Sequence, residues 1–131
     1  MTLNELVESV SRLRGWKTVS DHGLLSLSIP QAGNRGQVIA ILEFKEEGQA
    51  MLRFTTSIGP ADRLEPDRMR SALQLNLRLP HGCLALDGDQ LVMTATRPLK
   101  TSTPETTGDA LEFMARQADT YEKLIYKTDV H

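Results

Sequence analysis

The chain has one cysteine, Cys83, which excludes an intramolecular disulfide and any cysteine-rich zinc module. Aromatic residues make up only 5%, too few for the stacking platforms that single-stranded nucleic acid needs. There is no basic excess either. Fifteen Lys and Arg stand against seventeen Asp and Glu, a formal net charge of -2, so the electrostatic footprint of a nucleic-acid binder is missing. The longest purely apolar run covers residues 38–42, far short of the roughly 20 residues of a membrane span. Glu5 and Glu8 stand where a secretory signal would carry a basic start and an apolar block. What remains is 131 residues, 40% hydrophobic and 24% charged, an ordinary globular balance without repeats or low-complexity tracts. The expectation is one domain over residues 1–131, cytoplasmic, with no membrane insertion and no nucleic-acid partner.

Periodicity places the elements. Thr2 followed by Glu5 fits a capping box, and Leu3, Leu6, Val7, Val10 and Leu13 recur at helical spacing until Gly15. The period then drops to two. Leu25, Leu27 and Ile29 alternate with Ser26 and Ser28 up to Pro30, while residues 16–20 leave a further short strand open before His22-Gly23. Gly33, Asn34 and Gly36 connect to a strand over 38–44, with Val38, Ala40, Leu42 and Phe44 on one face and Ile39 and Ile41 on the other. Apolar on both faces, it belongs in the middle of a sheet. Glu47-Gly48 turns into residues 50–58, and Gly59-Pro60 ends the meander. A second helix begins near Pro66 and is stopped by Pro80 and Gly82. Asp87-Gly88 joins strands 83–86 and 91–96 as a hairpin, and Thr103-Pro104-Glu105 opens a long last helix. The order α-β-β-β-α-β-β-α describes an α+β fold, an antiparallel sheet with helices.

A search for chemistry finds little. Nucleophile-elbow, phosphate-loop, metalloprotease and dinucleotide motifs are all missing from the sequence. His81 and Cys83 would share a face if both lay on one strand, but they supply two metal ligands where zinc takes four. The favoured reading is a turn histidine followed by a small buried thiol. Asp87 and Asp89 read as turn formers. The expectation is no enzyme, no catalytic residue, no metal and no cofactor. Arg63, Arg68, Arg70 and Arg78 cluster around the second helix, either as a solvated face or as a polar rim around Met69, Leu73 and Leu77. Met69, Ala72, Leu73, Leu75, Leu77 and Leu79 exceed what one stripe hides against one sheet. Either the helix end is deeply buried or a second chain covers the surplus.

Element order and residues 73–93, with Asn76 and the run Leu84-Ala85-Leu86-Asp87-Gly88 as the most specific parts, resemble the type III secretion chaperones of the Tir-chaperone (CesT) type. The related YbjN-like superfamily has a similar outline. The resemblance implies a non-catalytic homodimer that holds an extended segment of a client effector, with Met69, Ala72, Leu73 and Asn76 at the dimer interface. For client contact, strand alternation offers Leu25, Leu27, Met51 and Phe54. Chaperones of that type tend to be markedly acidic, whereas this chain has an estimated pI of about 5.9 and an arginine-rich second helix. That departure raises the alternative reading, a YbjN-like regulatory or small-ligand-binding domain.

Overall fold

The computed structural model describes residues 1–21, 23–33 and 35–126, so His22, Asn34 and His131 lie outside the described residues. Helix α1 (Leu3–Arg14) starts where expected, with both bonds of the Thr2–Glu5 capping box made. The Glu5 carboxyl is held below its ordinary pKa by its hydrogen bonds to Thr2. Gly15, at φ 72°, closes the helix in the left-handed conformation that L side chains avoid. The chain then forms β1 (Lys17–Asp21), β2 (Leu24–Gln31), β3 (Arg35–Glu46) and β4 (Gln49–Pro60). A short 3₁₀ turn (Ala61–Arg63) precedes α2 (Pro66–Leu75), β5 (Cys83–Asp87), β6 (Gln90–Pro98) and α3 (Pro104–Ile125).

The six strands form one antiparallel sheet in the order β1-β2-β3-β4-β6-β5. The α+β class and the central position of the 38–44 strand are as expected. The element order gains β1, the strand left open after Gly15. Proline does not end β2, which runs through Pro30. Strand β1 stops opposite Ser28, so Pro30 lies where β2 has become an edge and its missing N–H withdraws no bond from a neighbour there. Strand β4 likewise continues to Pro60 by a register shift between Ser57 and Gly59. Two tight turns set the hairpins. Glu47 and Gly48, at φ 52° and 79°, connect β3 to β4, and Gly88, at φ 60°, is the first of two loop residues between β5 and β6.

The main core cluster lies on one side of the sheet. Leu27, Ile39, Ile41, Leu52, Phe54 and Met93 point toward α1 and α3, which contribute Leu6, Val7, Val10, Leu111, Met114, Ala115 and Ala118. The two helices are also joined by charge. Arg14, in the last turn of α1, binds Asp109 and Glu112 of α3 and donates to the Glu105 carbonyl. Gly108 fits this arrangement, since a Cβ there would meet the Arg14 Nε at 2.7 Å. At its far end α3 is anchored by Tyr126, whose hydroxyl donates to the Pro60 carbonyl at 2.9 Å and whose ring packs so close to Gly59 that a Cβ there would lie 2.5 Å from it. Burial raises the Tyr126 phenol above its ordinary pKa, and Asp62 adds to the effect.

Candidate functional site

Helices α1 and α3 cover one face of the sheet and leave the other bare. Alternation puts Val38, Ala40, Leu42 and Phe44 of β3 on the bare face, next to Met51, Arg53, Thr55 and Ser57 of β4 and Val92 and Thr94 of β6. Together with Leu24, Gln90 and Asp87 these strands line a hollow of about 730 Å³. Its floor is apolar or hydroxylated, and Leu24 and Leu42 keep 40% and 45% of their surface exposed. One cation stands within it. The Arg53 guanidinium lies 4.4 Å from the Phe44 ring centroid, so the ring faces the cation while Arg53 stays exposed to solvent. Threonine and serine partners fix the remaining polar groups, as in Thr55–Thr94 and Ser57–Gln90.

A second uncovered patch belongs to α2, which rests against the outer side of edge strand β5. Pro66 starts the helix at its first turn, where the missing N–H has no partner to lose. Ala72 turns inward and is 3% exposed, whereas Leu73 and Leu77 are 57% and 90% exposed, and Leu86 of β5 is 56% exposed. Asn76 caps the end of α2 and holds it to the strand: its Nδ2 donates to the Leu84 carbonyl at 3.1 Å, and its Oδ1 accepts from the Leu84 N–H at 2.6 Å.

The four residues assigned to a dimer face therefore separate. Leu73 is exposed and Met69 is half-buried, while Ala72 is inside the chain and Asn76 spends its amide on Leu84. The four assigned to client contact separate too. Leu27 and Phe54 are fully buried under the helices, Leu25 packs at the core margin, and only Met51 faces the bare side. The residues of the hollow, Leu24, Val38, Ala40 and Leu42, were not among the sequence candidates. The signal for the last three was the two-sided apolar character of β3. His81 and Cys83 are not brought together. Gly82, at φ 75°, turns the chain just before β5, so Cys83 joins Thr94 on the bare face while His81 lies against Phe113 and Arg97 on the helix side. Among the described residues, no group of three His, Cys, Asp or Glu could hold a metal ion, and no helix is long and apolar enough to cross a membrane.

No protein-family model matches the sequence, and no curated protein matches it. Solved structures do. A chain in the complex of the Yersinia pestis type III secretion chaperone SycH with a stable fragment of YscM2 superposes with a TM-score of 0.62 at 16% identity, over 91% of this chain and 98% of that one. A chain in the HopA1–SchA chaperone–effector complex gives 0.62 at 12% identity, covering 92% of each. A chain of the ExsC–ExsE complex gives 0.63 at 14% identity, covering 95% and 97%. Matches that span nearly the whole of both chains establish the architecture: the chain has the fold of the type III secretion chaperones.

Proposed function

We propose that this chain is a non-catalytic, homodimeric protein-binding module of the cytoplasm that holds an extended segment of a client protein, in the manner of a secretion chaperone and its effector. The observation that carries the reading is the uncovered apolar surface, the hollow on the bare sheet face and the leucines at the end of α2, on a fold whose solved neighbours were captured with protein partners. The two patches suit different tasks. The α2 end, with exposed Leu73 and Leu77 flanked by Arg70 and Arg78, suits a self-complementary contact across a two-fold axis. The hollow runs across strands β2, β3, β4 and β6, which suits alternate side chains of an extended segment. Strand β1 is the edge on which such a segment could add backbone bonds, because the other edge, β5, is already occupied at Leu84 by Asn76.

The ligand-domain alternative asks for an enclosed pocket between the sheet and the last helix. Leu111, Met114, Ala115 and Ala118 fill that space, each at 0% exposure, which supports the client reading instead. The test is recovery of the tagged chain from its native organism, with its partners identified by mass spectrometry and its mass measured by light scattering. A larger protein held in near-stoichiometric yield through its N-terminal region, on a dimer, supports the proposal. Recovery of the chain alone, as a monomer, overturns it.

A further inference from the structure

Two of the partly buried arginines are matched to acids, and Arg68 donates to the backbone carbonyls of Leu124 and Ile125. Arg14 reaches Asp109 and Glu112, and Arg35 reaches Asp119 at 3.1 Å. Arg97 has no carboxylate at ion-pair distance among the described residues. It sits on β6 directly across from Leu52 of β4, on the helix-covered side, near the end of the sheet that β5 does not reach. Its one hydrogen-bond partner there is Nδ1 of His81, 2.7 Å from Nη2, and its Nε is buried with no partner at all.

A guanidinium only donates, so His81 Nδ1 must be the acceptor and the ring must be neutral. One uncharged lone pair therefore stands where Arg14 and Arg35, likewise half-buried, find a carboxylate. The imidazole is held in that place from two sides. Its ring meets Phe113 of α3 edge-on, with centroids 5.3 Å apart, and the adjoining Gly82 packs so closely on β6 that a Cβ would lie 2.9 Å from the Thr94 carbonyl oxygen. Burying a donor of a cationic group without an acceptor costs free energy, and the single neutral acceptor at Nη2 leaves the buried Nε–H unsatisfied. Both residues are half-buried, so solvent reaches the pair.

The geometry points to Arg97 and His81 as a receiving site for an oxyanion, a carboxylate or a tetrahedral oxyanion. The arriving group displaces His81 Nδ1 and takes the guanidinium through two parallel N–H···O bonds, the strongest arrangement open to arginine. His81 is the placeholder that keeps Arg97 aimed while the site waits. The inference is independent of the client reading, because the site lies on the opposite side of the sheet from the hollow. Its oxyanion can come from an acidic side chain of a bound polypeptide or from a small free anion.

The probe is inorganic sulfate, added to the full-length ¹⁵N-labelled chain at constant ionic strength, with the Arg97 Nε–H resonance followed by NMR. The expected result is a saturable shift with a Kd of about 1–10 mM. Arg97→Gln removes the effect on its neighbours' resonances, Arg70→Gln leaves it intact, and Arg97→Lys, which keeps the charge but not the fork, weakens binding about tenfold. His81→Ala, which removes the competing acceptor, binds sulfate at least as tightly as the wild type. No saturable shift up to about 50 mM sulfate overturns the site. So does equal binding by a folded Arg97→Gln variant, or a loss in His81→Ala as large as in Arg97→Lys. A short peptide with one glutamate, set against its glutamine counterpart and acetate, separates the sources. Preference for the glutamate peptide over acetate assigns the site to a polypeptide side chain, and preference for sulfate over both assigns it to a free anion.

Discussion

The side-chain amide of Asn76 pairs with both backbone groups of Leu84, donating to its carbonyl and accepting from its N–H, as a neighbouring strand would. Because Leu84 faces Met93 of β6 on its other side, this pairing lies on the outer edge of the sheet. One residue therefore does two things. It ends α2 against β5, and it closes the β5 edge to another strand at the point where an intruder would pair. The same residue is, with the run Leu84–Gly88, among the most specific parts of the sequence resemblance to secretion chaperones, and the geometry gives it a reason to be asparagine: a primary amide offers both a donor and an acceptor at this spacing.

Asn76→Ala leaves a half-buried N–H and C=O without partners. The expected cost is about 1–3 kcal/mol in chemical denaturation, with faster hydrogen exchange at the Leu84 amide. Asn76→Asp keeps the acceptor and loses the donor, so its cost is expected to fall between the wild type and alanine. A fully stable Asn76→Ala protein would show that α2 is held by packing alone.

Leucines at the end of α2 separate stability from association. Leu73→Asp and Leu77→Asp change residues that are 57% and 90% exposed, so the folded monomer is expected to lose no more than about 0.5 kcal/mol. Light scattering is expected to report monomers for Leu73→Asp. A dimer that survives both substitutions would place the interface elsewhere.

Phe54 and Leu42 sit on opposite faces of neighbouring strands and give opposite outcomes. Phe54→Ala opens a cavity in a fully buried position and is expected to cost about 3–5 kcal/mol by denaturant unfolding. Leu42→Glu, on the bare face at 45% exposure, is expected to leave the unfolding midpoint nearly unchanged while abolishing capture of a client. Loss of stability in Leu42→Glu equal to that of Phe54→Ala would mean that the bare face is core.

The Arg14 cross-link between α1 and α3 is partly exposed, with Asp109 at 72% side-chain accessibility, so water screens it. Arg14→Met is expected to cost about 1 kcal/mol or less at low salt, and the difference from wild type is expected to shrink at about 1 M salt, where the Debye length is only about 3 Å. A difference that persists undiminished in salt would assign the effect to packing on Trp16, which the guanidinium overlies at 5.6 Å from the ring centroid.

Local signals were sufficient for most elements. The Thr2–Glu5 box, Gly15, Pro66 and Thr103-Pro104 act through bonds and dihedral angles within a few residues, so their meaning survives without knowledge of the rest of the chain. Period-two alternation likewise sorted β3 into Val38, Ala40, Leu42 and Phe44 against Ile39 and Ile41. Alternation cannot say which of two apolar faces the helices will choose. That choice depends on where α1 and α3 dock, a matter of contacts distant in sequence, and it turned Leu27 and Phe54 into core and Leu42 into surface. It was also tertiary structure that admitted β1, carried β2 through Pro30 once β1 had ended, and separated His81 from Cys83 by a left-handed turn at Gly82. The sequence by itself determined the elements and the class of fold, because those follow from local sterics and hydrophobic period. The tertiary structure decided which surfaces stay open to a partner, because exposure is a property of what packs against a residue and not of the residue alone.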